Sequence, residues 1–303
     1  MMKGSSAAGQ LRALLAQGQL LLMPCCFDAL SARLIEMAGF PLTFMSGFAV
    51  AASRLGLPDT GLISYAEMAD QGRNICAAVD FPVIGDGDTG YGNALNVKRT
   101  VHGYAQTGFA AVMIEDQVSP KRCGHTRGKA VVERAEAVGR IRAAVDARDE
   151  LGNKGRDILI LARTDARATH GLEEAVWRAQ AFSDVGADIL FVEAPSSEDE
   201  MASICRGVPG RHLVNMLEGG DTPIVPPQQL AELGFAIAAY PLTLLSAATR
   251  AMQETLKDLN GGHDASAHLL DFAALRRIVG FDDYDAQAER YQSHHDGRSK
   301  NDG

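Results

Sequence analysis

Short apolar runs recur along the chain and constrain its fold more than any other feature. Eight such runs are rich in Val, Ile, Leu, Phe and Ala, and longer amphipathic segments separate them. Because apolar and polar residues do not alternate within the runs, they predict strands buried on both faces, as in a parallel sheet. The runs cover residues 20–27, 42–46, 82–86, 110–115, 158–163, 188–193, 212–216 and 235–240.

The intervening segments have the periodicity of amphipathic helices, and Gly39, Gly108, Gly186 and Gly234 stand where a helix should end before the next strand. Eight strand–helix units predict a closed (β/α)8 barrel of the TIM type. An open doubly wound sheet is less favoured, because no G-x-G-x-x-G turn follows the first strand. The main predicted helices cover residues 10–17, 96–106, 133–148, 172–185 and 227–233.

The remaining segments belong to the same single predicted domain, 1–303. Residues 1–9 and 293–303 are small or polar and are expected to be flexible. Residues 244–291 are expected to form a C-terminal helical extension, with helical patterns at 244–259 and 265–279. These helices are more apolar than a solvated tail requires. They would either cap the barrel or, as we favour, pack on a neighbouring subunit.

Charge and cysteine content limit the class of protein. The net charge of −9 argues against nucleic acid or a membrane as a partner, although a local cluster of cations can still bind a small anion. The chain has an odd number of cysteines, five, and no C-x-x-C pair. Without a secretory segment or an apolar run of about 20 residues, we expect a cytoplasmic protein.

Polar side chains cluster where the predicted strands end. Since active sites of such barrels lie at the C-terminal ends of the strands, these residues predict one site. An acidic residue at such a turn can instead cap a helix, but capping does not explain carboxylates at several strand ends together. The residues are Ser46, Asp86, Asp88, Glu115, Arg163, Glu193 and Asn215.

A cationic loop after the fourth strand contains Cys123, flanked by Lys121, Arg122, Gly124 and His125. Positive neighbours stabilise a thiolate, and the glycine keeps the backbone open. A zinc site at Cys123 and His125 would need two further soft ligands nearby, and the sequence offers none. A reactive thiol beside carboxylates suited to a hard cation suggests a metal-assisted enzyme.

Several motifs together resemble the isocitrate lyase and phosphoenolpyruvate mutase superfamily over nearly the whole chain. The Lys121 to His125 loop resembles that of the carbon–carbon lyases and is generally absent from the phosphonate mutases. Segments 123–129 and 215–220, with Phe44 and Phe48, look more like the 2-alkylmalate lyases than the methylisocitrate lyases. The remaining motifs lie at 46–47, 55–59, 86–92, 115–117 and 162–166.

The resemblance implies a Mg²⁺-dependent lyase, with Mn²⁺ as a possible substitute. By this resemblance Asp59, Asp86, Asp88 and Glu115 would form the metal shell, partly through water. The implied reaction is a retro-aldol cleavage of a 2-hydroxy dicarboxylate to pyruvate and a short carboxylate. Cys123 would act as the general acid that protonates the departing enolate.

The other candidate residues have expected roles in binding and in tuning the thiol. Arg163 would bind a substrate carboxylate through its planar fork, or form an ion pair with Glu193 or Asp165, and both roles can coexist. Lys121 and Arg122 would bind the departing carboxylate or stabilise the thiolate, and His125 would tune the thiol or bind a carboxylate. The residues expected to bind or orient substrate are Ser46, Gly47, Gly124, Glu193 and Asn215.

Alternative functions stay open at this point. 2-Methylisocitrate lyase activity would require a further cation for a third carboxylate, and oxaloacetate hydrolysis or decarboxylation is also possible. A barrel that has lost catalysis and only binds ligands should have lost its thiol or carboxylates first. The expected partner is a small dicarboxylate, and the resemblance implies a homotetramer with exchanged C-terminal helices.

Overall fold

The computed structural model describes residues 6–124 and 128–292. His125 and the terminal segments 1–5 and 293–303 lie outside the described residues. The chain divides into two compact units, Met1–Ser246 and Ala247–Gly303.

The first unit is a closed barrel of eight parallel strands in sequential order, in which β1 pairs with β8. This confirms the predicted (β/α)8 fold. Every residue of β4 and β5 is buried, as the continuous apolar runs predicted. The strands are β1 Leu21–Cys26, β2 Thr43–Met45, β3 Val83–Asp86, β4 Ala111–Glu115, β5 Leu159–Thr164, β6 Ile189–Val192, β7 His212–Asn215 and β8 Phe235–Tyr240.

Among the described residues of the first unit, ten α-helices surround these strands, and side-chain caps determine several of their starts. The first helix begins at Ala7 rather than at residue 10, because Ser6 accepts a hydrogen bond from the Gly9 amide. The helices are α1 Ala7–Leu15, α2 Ala29–Met37, α3 Gly47–Val50, α4 Tyr65–Ala78, α5 Ala94–Thr107, α6 Arg134–Gly152, α7 Ala166–His170, α8 Leu172–Asp184, α9 Glu198–Gly207 and α10 Pro227–Leu233.

The second strand is shorter than predicted because a helix begins directly after it. Ser46 accepts a hydrogen bond from the Ala49 amide at 3.3 Å and so caps α3. A π-helical turn, Ala51–Leu55, continues this helix. Helix α3 and this π-helical turn together lead the chain from the end of β2 towards Asp59 at the rim of the barrel.

The helices at the C-terminal end of the described residues have amphipathic sequences. Helix α11, Thr243–Asn260, spans the boundary between the two units, and α12 Phe272–Val279 and α13 Phe281–Gln292 follow it. The helical pattern predicted over 265–279 is interrupted, because Ser266–His268 form a 3-10 turn and Asp271 caps α12. Across the described ranges, no helix has the length and apolarity needed to cross a membrane.

Candidate active site

A cavity at the C-terminal ends of the strands brings together most of the predicted site residues. One wall is apolar and consists of Phe48, Leu217, Pro241 and Leu242. The other side is polar and charged. Its lining residues are Ser46, Asp59, Asp86, Glu115, Lys121, Arg122, Cys123, Gly124, Arg163, Glu193 and Asn215.

Backbone amides fix the carboxylate of Asp86 at the end of β3. Its Oδ2 accepts from the Gly47 amide and its Oδ1 from the Asp88 amide, each at 3.0 Å. The approach of Gly47 is so close that a Cβ there would lie 2.5 Å from Asp86 Oδ2. Gly47 therefore orients the Asp86 carboxylate, and it does so with the same backbone amide that the sequence analysis assigns to substrate binding.

A hydrogen bond from a buried tyrosine stabilises the turn that follows β3. The hydroxyl of Tyr104 donates to the Asp86 carbonyl oxygen at 2.6 Å. Asp88 has a φ of +48°, in the left-handed region that few non-glycine residues adopt. Such a conformation is retained only where surrounding contacts enforce it. The turn therefore presents both carboxylates in a defined arrangement.

Lys121 reaches from the cationic loop into the acidic cluster. Its Nζ lies 2.7 Å from the Asp59 carboxylate and 2.8 Å from Asp88 Oδ1. Burial disfavours the charged ammonium, but Asp88, Asp86, Asp59 and Glu115 outweigh it and raise the pKa of Lys121 well above its usual value. Lys121 is therefore a cation, and its ion pairs connect the cationic loop to the acidic cluster.

The donor set at this end of the barrel suits a hard divalent cation bound partly through water. Glu115 Oε1 is buried and has no hydrogen-bond partner among the described residues. Desolvation raises the pKa of Glu115 well above its usual value, and a bound cation would oppose that effect. Within residues 6–124 and 128–292, no three His, Cys, Asp or Glu side chains converge as direct ligands. Magnesium commonly takes one or two carboxylates and keeps several waters, so the residues fit it.

Arg163, at the end of β5, is the centre of a buried ionic network. It donates to Asp165 through Nε at 2.8 Å and Nη2 at 3.0 Å, and Nη2 also lies 3.0 Å from Glu193 Oε2. Asn215 donates to Glu193 Oε2 at 3.1 Å. The ion pairs considered for Arg163 from the sequence are therefore both present. They leave its Nη1 without a protein partner among the described residues.

The loop that contains Cys123 is attached to the barrel at its base. Gln117 and Val131 form an antiparallel bridge, and the side chain of Gln117 exchanges hydrogen bonds with the Arg122 backbone at 2.9 and 3.0 Å. Arg140 donates to the Gln117 carbonyl at 2.7 Å. These contacts place Cys123, which is partly exposed, at the cavity.

The other thiols lie in environments that keep them protonated. Burial raises the pKa of Cys25 well above its usual value, and it raises that of Cys26, Cys76 and Cys205 to about 12. Their burial fits a packing role. Cys123 alone among the five thiols lines the cavity of the predicted site.

The structure brings most of the predicted site residues together at one end of the barrel, but sequence reasoning missed the residues that support them. Asp88 joins the cluster through Lys121 and Asp86 rather than by lining the cavity, and His125 lies outside the described residues. The missed residues are Lys129, which contacts Asp165, and Tyr104, which binds the Asp86 carbonyl. Proximity to the cationic loop was a weak signal for Lys129. Tyr104 lies within a predicted helix, and nothing in the sequence indicated a role for it at the site.

Comparison with known proteins identifies the family of this chain. The family described as phosphoenolpyruvate phosphomutase matches residues 11–260. The 2,3-dimethylmalate lyase of Eubacterium barkeri is 42% identical over 281 residues, 91% of this chain and 95% of that protein. A 2-methylisocitrate lyase of Aeropyrum pernix is 39% identical over 286 residues, 92% of this chain and 90% of that protein.

Solved structures show the same architecture. Oxaloacetate acetylhydrolase in complex with 3,3-difluorooxalacetate superposes with a TM-score of 0.88 and 34% identity, over 97% of this chain and 98% of that one. Phosphonopyruvate hydrolase in complex with oxalate and Mg²⁺ superposes with a TM-score of 0.83 and 29% identity, over 95% of this chain and 100% of that one. The chain therefore belongs to the phosphoenolpyruvate mutase and isocitrate lyase superfamily and is a carbon–carbon lyase.

Proposed function

We propose that this lyase cleaves the C2–C3 bond of a 2-alkylmalate, such as 2,3-dimethylmalate, to pyruvate and a short carboxylate. The observation that carries the proposal is the convergence of three groups on one cavity. These are the carboxylates of Asp86 and Glu115, the guanidinium of Arg163 and the thiol of Cys123. The identity of 42% to a 2,3-dimethylmalate lyase supports this substrate class.

Substrate binding would rely on both walls of the cavity. Arg163 Nη1 can donate to a substrate carboxylate, because Asp165 and Glu193 occupy the other side of the guanidinium. The ring of Phe191, 5.2 Å from the guanidinium carbon, restricts its movement. The apolar wall around Phe48 and Leu217 suits alkyl substituents better than a further carboxylate.

Asp86 and Glu115 would hold Mg²⁺, with Asp59 and Asp88 acting through its waters. When bound, Mg²⁺ supplies a Lewis acid for the oxygens of the 2-hydroxy acid. The C2 hydroxyl gives up its proton to a base and its oxygen becomes the carbonyl of pyruvate. As the C2–C3 bond breaks, its electron pair moves to C3 of the departing carboxylate. Cys123 donates the thiol proton to that carbon and becomes a thiolate.

A second candidate is 2-methylisocitrate, which would yield pyruvate and succinate. The identity of 39% to a 2-methylisocitrate lyase favours it, and Arg122, an exposed cation, also lines the cavity and could bind a third carboxylate. Oxaloacetate hydrolysis is a third candidate, because the oxaloacetate acetylhydrolase structure superposes over most of the chain.

Proton NMR of the products distinguishes these candidates. The purified protein and Cys123→Ser, each with Mg²⁺, are offered 2,3-dimethylmalate, 2-methylisocitrate and oxaloacetate separately. Pyruvate and propionate from the first compound, lost in Cys123→Ser, would support the proposal. Preferential formation of pyruvate and succinate would assign 2-methylisocitrate instead. Oxalate and acetate from oxaloacetate alone would indicate a hydrolase, and no product from any of the three would contradict the proposal.

We also propose that the protein assembles as a homotetramer through its C-terminal helices. Leu269 and Leu270, just before α12, and Phe272, its first residue, each leave more than half of their surface exposed. This is unusual for a group of large apolar side chains. Light scattering of the full chain, and of a variant with all three changed to Ser, tests this. A tetramer that the substitutions dissociate would support it, and a wild-type monomer would contradict it.

A further inference from the structure

A buried lysine outside the predicted catalytic set connects the thiol loop to the substrate-binding arginine. The side chain of Lys129 is only 4% exposed, and its Nζ lies 2.9 Å from Asp165 Oδ1. The same ammonium donates to the carbonyl oxygen of Gly124, the residue that follows Cys123. A lysine costs free energy to bury, so its retention here requires these partners.

Asp165 is shared between the lysine and the arginine. Its two carboxylate oxygens also accept from Arg163 at 2.8 and 3.0 Å, and its amide donates to Asp116 at 2.9 Å. The carboxylate is fully buried. Lys129 and Arg163 therefore hold one fixed anion between them.

Gly124 packs directly against the same network. A Cβ at this position would lie 2.4 Å from Arg163 Nη2 and 2.9 Å from Glu193 Cγ. The loop backbone can approach this closely only because the residue is glycine. The peptide that follows Cys123 is thus held between the Arg163–Glu193 pair and the Lys129 ammonium.

We propose that Lys129 is a positioning residue that fixes Cys123 relative to Arg163. This inference rests on the proposed function, in which Arg163 binds substrate and Cys123 protonates the product. Lys129 holds the Gly124 carbonyl to Asp165, so the distance between the thiol and the guanidinium is set by one ionic unit. Without the ammonium, the Gly124 carbonyl and the Asp165 carboxylate each lose a donor in a buried place, and the loop segment at Cys123 moves away.

The test compares Lys129→Met with Lys129→Arg and a matched control. Lys129→Met keeps the apolar stem and removes the charge, whereas Lys129→Arg keeps a cation. Lys98→Met is the control, because Lys98 also pairs with a carboxylate, Glu150, but does so between α5 and α6. Circular dichroism and thermal melting establish that each variant folds.

The first measurement is the rate at which iodoacetamide alkylates Cys123, followed by peptide mass mapping, with and without Mg²⁺ and oxalate. The other four thiols have pKa values raised by burial and serve as internal references. We expect Mg²⁺ and oxalate to protect Cys123 in the wild type and in Lys98→Met. In Lys129→Met this protection should be largely lost, and in Lys129→Arg it should be retained in part.

The second measurement is steady-state kinetics on the substrate found by the NMR experiment. A displacement of about 1 Å can cost about a hundredfold in rate, so kcat should fall about 10- to 100-fold in Lys129→Met while KM changes little. If a folded Lys129→Met variant has the wild-type kcat and the wild-type protection of Cys123 from iodoacetamide, the inference is overturned. If no substrate is turned over but protection still depends on Lys129, the positioning role stands and the proposed function fails.

Discussion

Arg163 and Asp165, two residues apart at the end of β5, form a bidentate pair with donor–acceptor distances of 2.8 and 3.0 Å. Asp165 is fully buried, and its negative charge also balances Lys129. The pair is thus a structural support for the guanidinium that we assign to substrate. It combines the structural and functional interpretations that the sequence left open for Arg163.

Asp165→Asn should destabilise the barrel strongly. The substitution leaves two buried cations without their shared anion, and breaking a buried pair in this way costs about 3–5 kcal/mol. The free energy of unfolding, measured by urea denaturation, should fall by that amount. Asp149→Asn is the control, because Asp149 is 63% exposed in its pair with Arg148 and should change stability by less than about 0.5 kcal/mol. Equal effects of the two substitutions would contradict the prediction.

Gly47→Ala should weaken the binding of a divalent cation. The new Cβ would lie 2.5 Å from Asp86 Oδ2, so the carboxylate must move away from its two amide donors. We expect Mn²⁺ to bind about 10- to 100-fold more weakly, the range typical of lost support for a metal ligand. Titration followed by electron paramagnetic resonance measures this directly.

The matched control for Gly47→Ala is Gly139→Ala within α6, where an added Cβ meets nothing within 4 Å. This change should leave Mn²⁺ binding as in the wild type and raise the free energy of unfolding by about 0.5–1 kcal/mol. Wild-type Mn²⁺ affinity in Gly47→Ala would show that the position of Asp86 does not depend on Gly47.

His212 should make the barrel less stable as the pH falls. The ring is buried on β7, where Nε2 donates to the Val208 carbonyl at 2.7 Å and Nδ1 has no partner among the described residues. Desolvation lowers the pKa of His212 below its usual value near 6.5, although the hydrogen bond to Val208 opposes the shift. Below about pH 6.5 the unfolded chain therefore binds a proton that the folded chain does not, and stability decreases with falling pH.

Urea denaturation between pH 7.5 and pH 5 measures the effect of His212. For one such group the loss is at most about 1.4 kcal/mol per pH unit. In His212→Gln the decrease should be shallower, whereas substitution of the exposed His170 by Gln should leave the wild-type pH dependence. An equally steep decrease in His212→Gln would assign the acid sensitivity to other groups.

Removal of divalent cations should abolish turnover reversibly. The carboxylates that we assign to Mg²⁺ include Glu115, whose Oε1 has no hydrogen-bond partner in the described part of the chain. Protein dialysed against EDTA should lose activity, and Mg²⁺ or Mn²⁺ should restore it. Undiminished turnover by protein shown by elemental analysis to be metal-free would contradict this assignment.

Much of the architecture was readable from local pattern. The eight apolar runs match the eight strands within a few residues, since a strand buried on both faces requires an unbroken apolar sequence. Errors occurred at ends, where a single cap decides the boundary: Ser46 shortened β2, and Asp271 began a separate helix. Such caps depend on one hydrogen bond, which periodicity does not encode.

The sequence of this chain was sufficient to predict the barrel, the end at which its polar residues gather and the loop that contains Cys123. It could not show that Lys121 lies between Asp59 and Asp88, or that Lys129 and Arg163 share Asp165. Strand periodicity is a local property, whereas the pairing of a buried charge depends on which distant side chains reach it. In a closed barrel every strand end faces the same space, so several partners were compatible with the sequence, and packing selected among them.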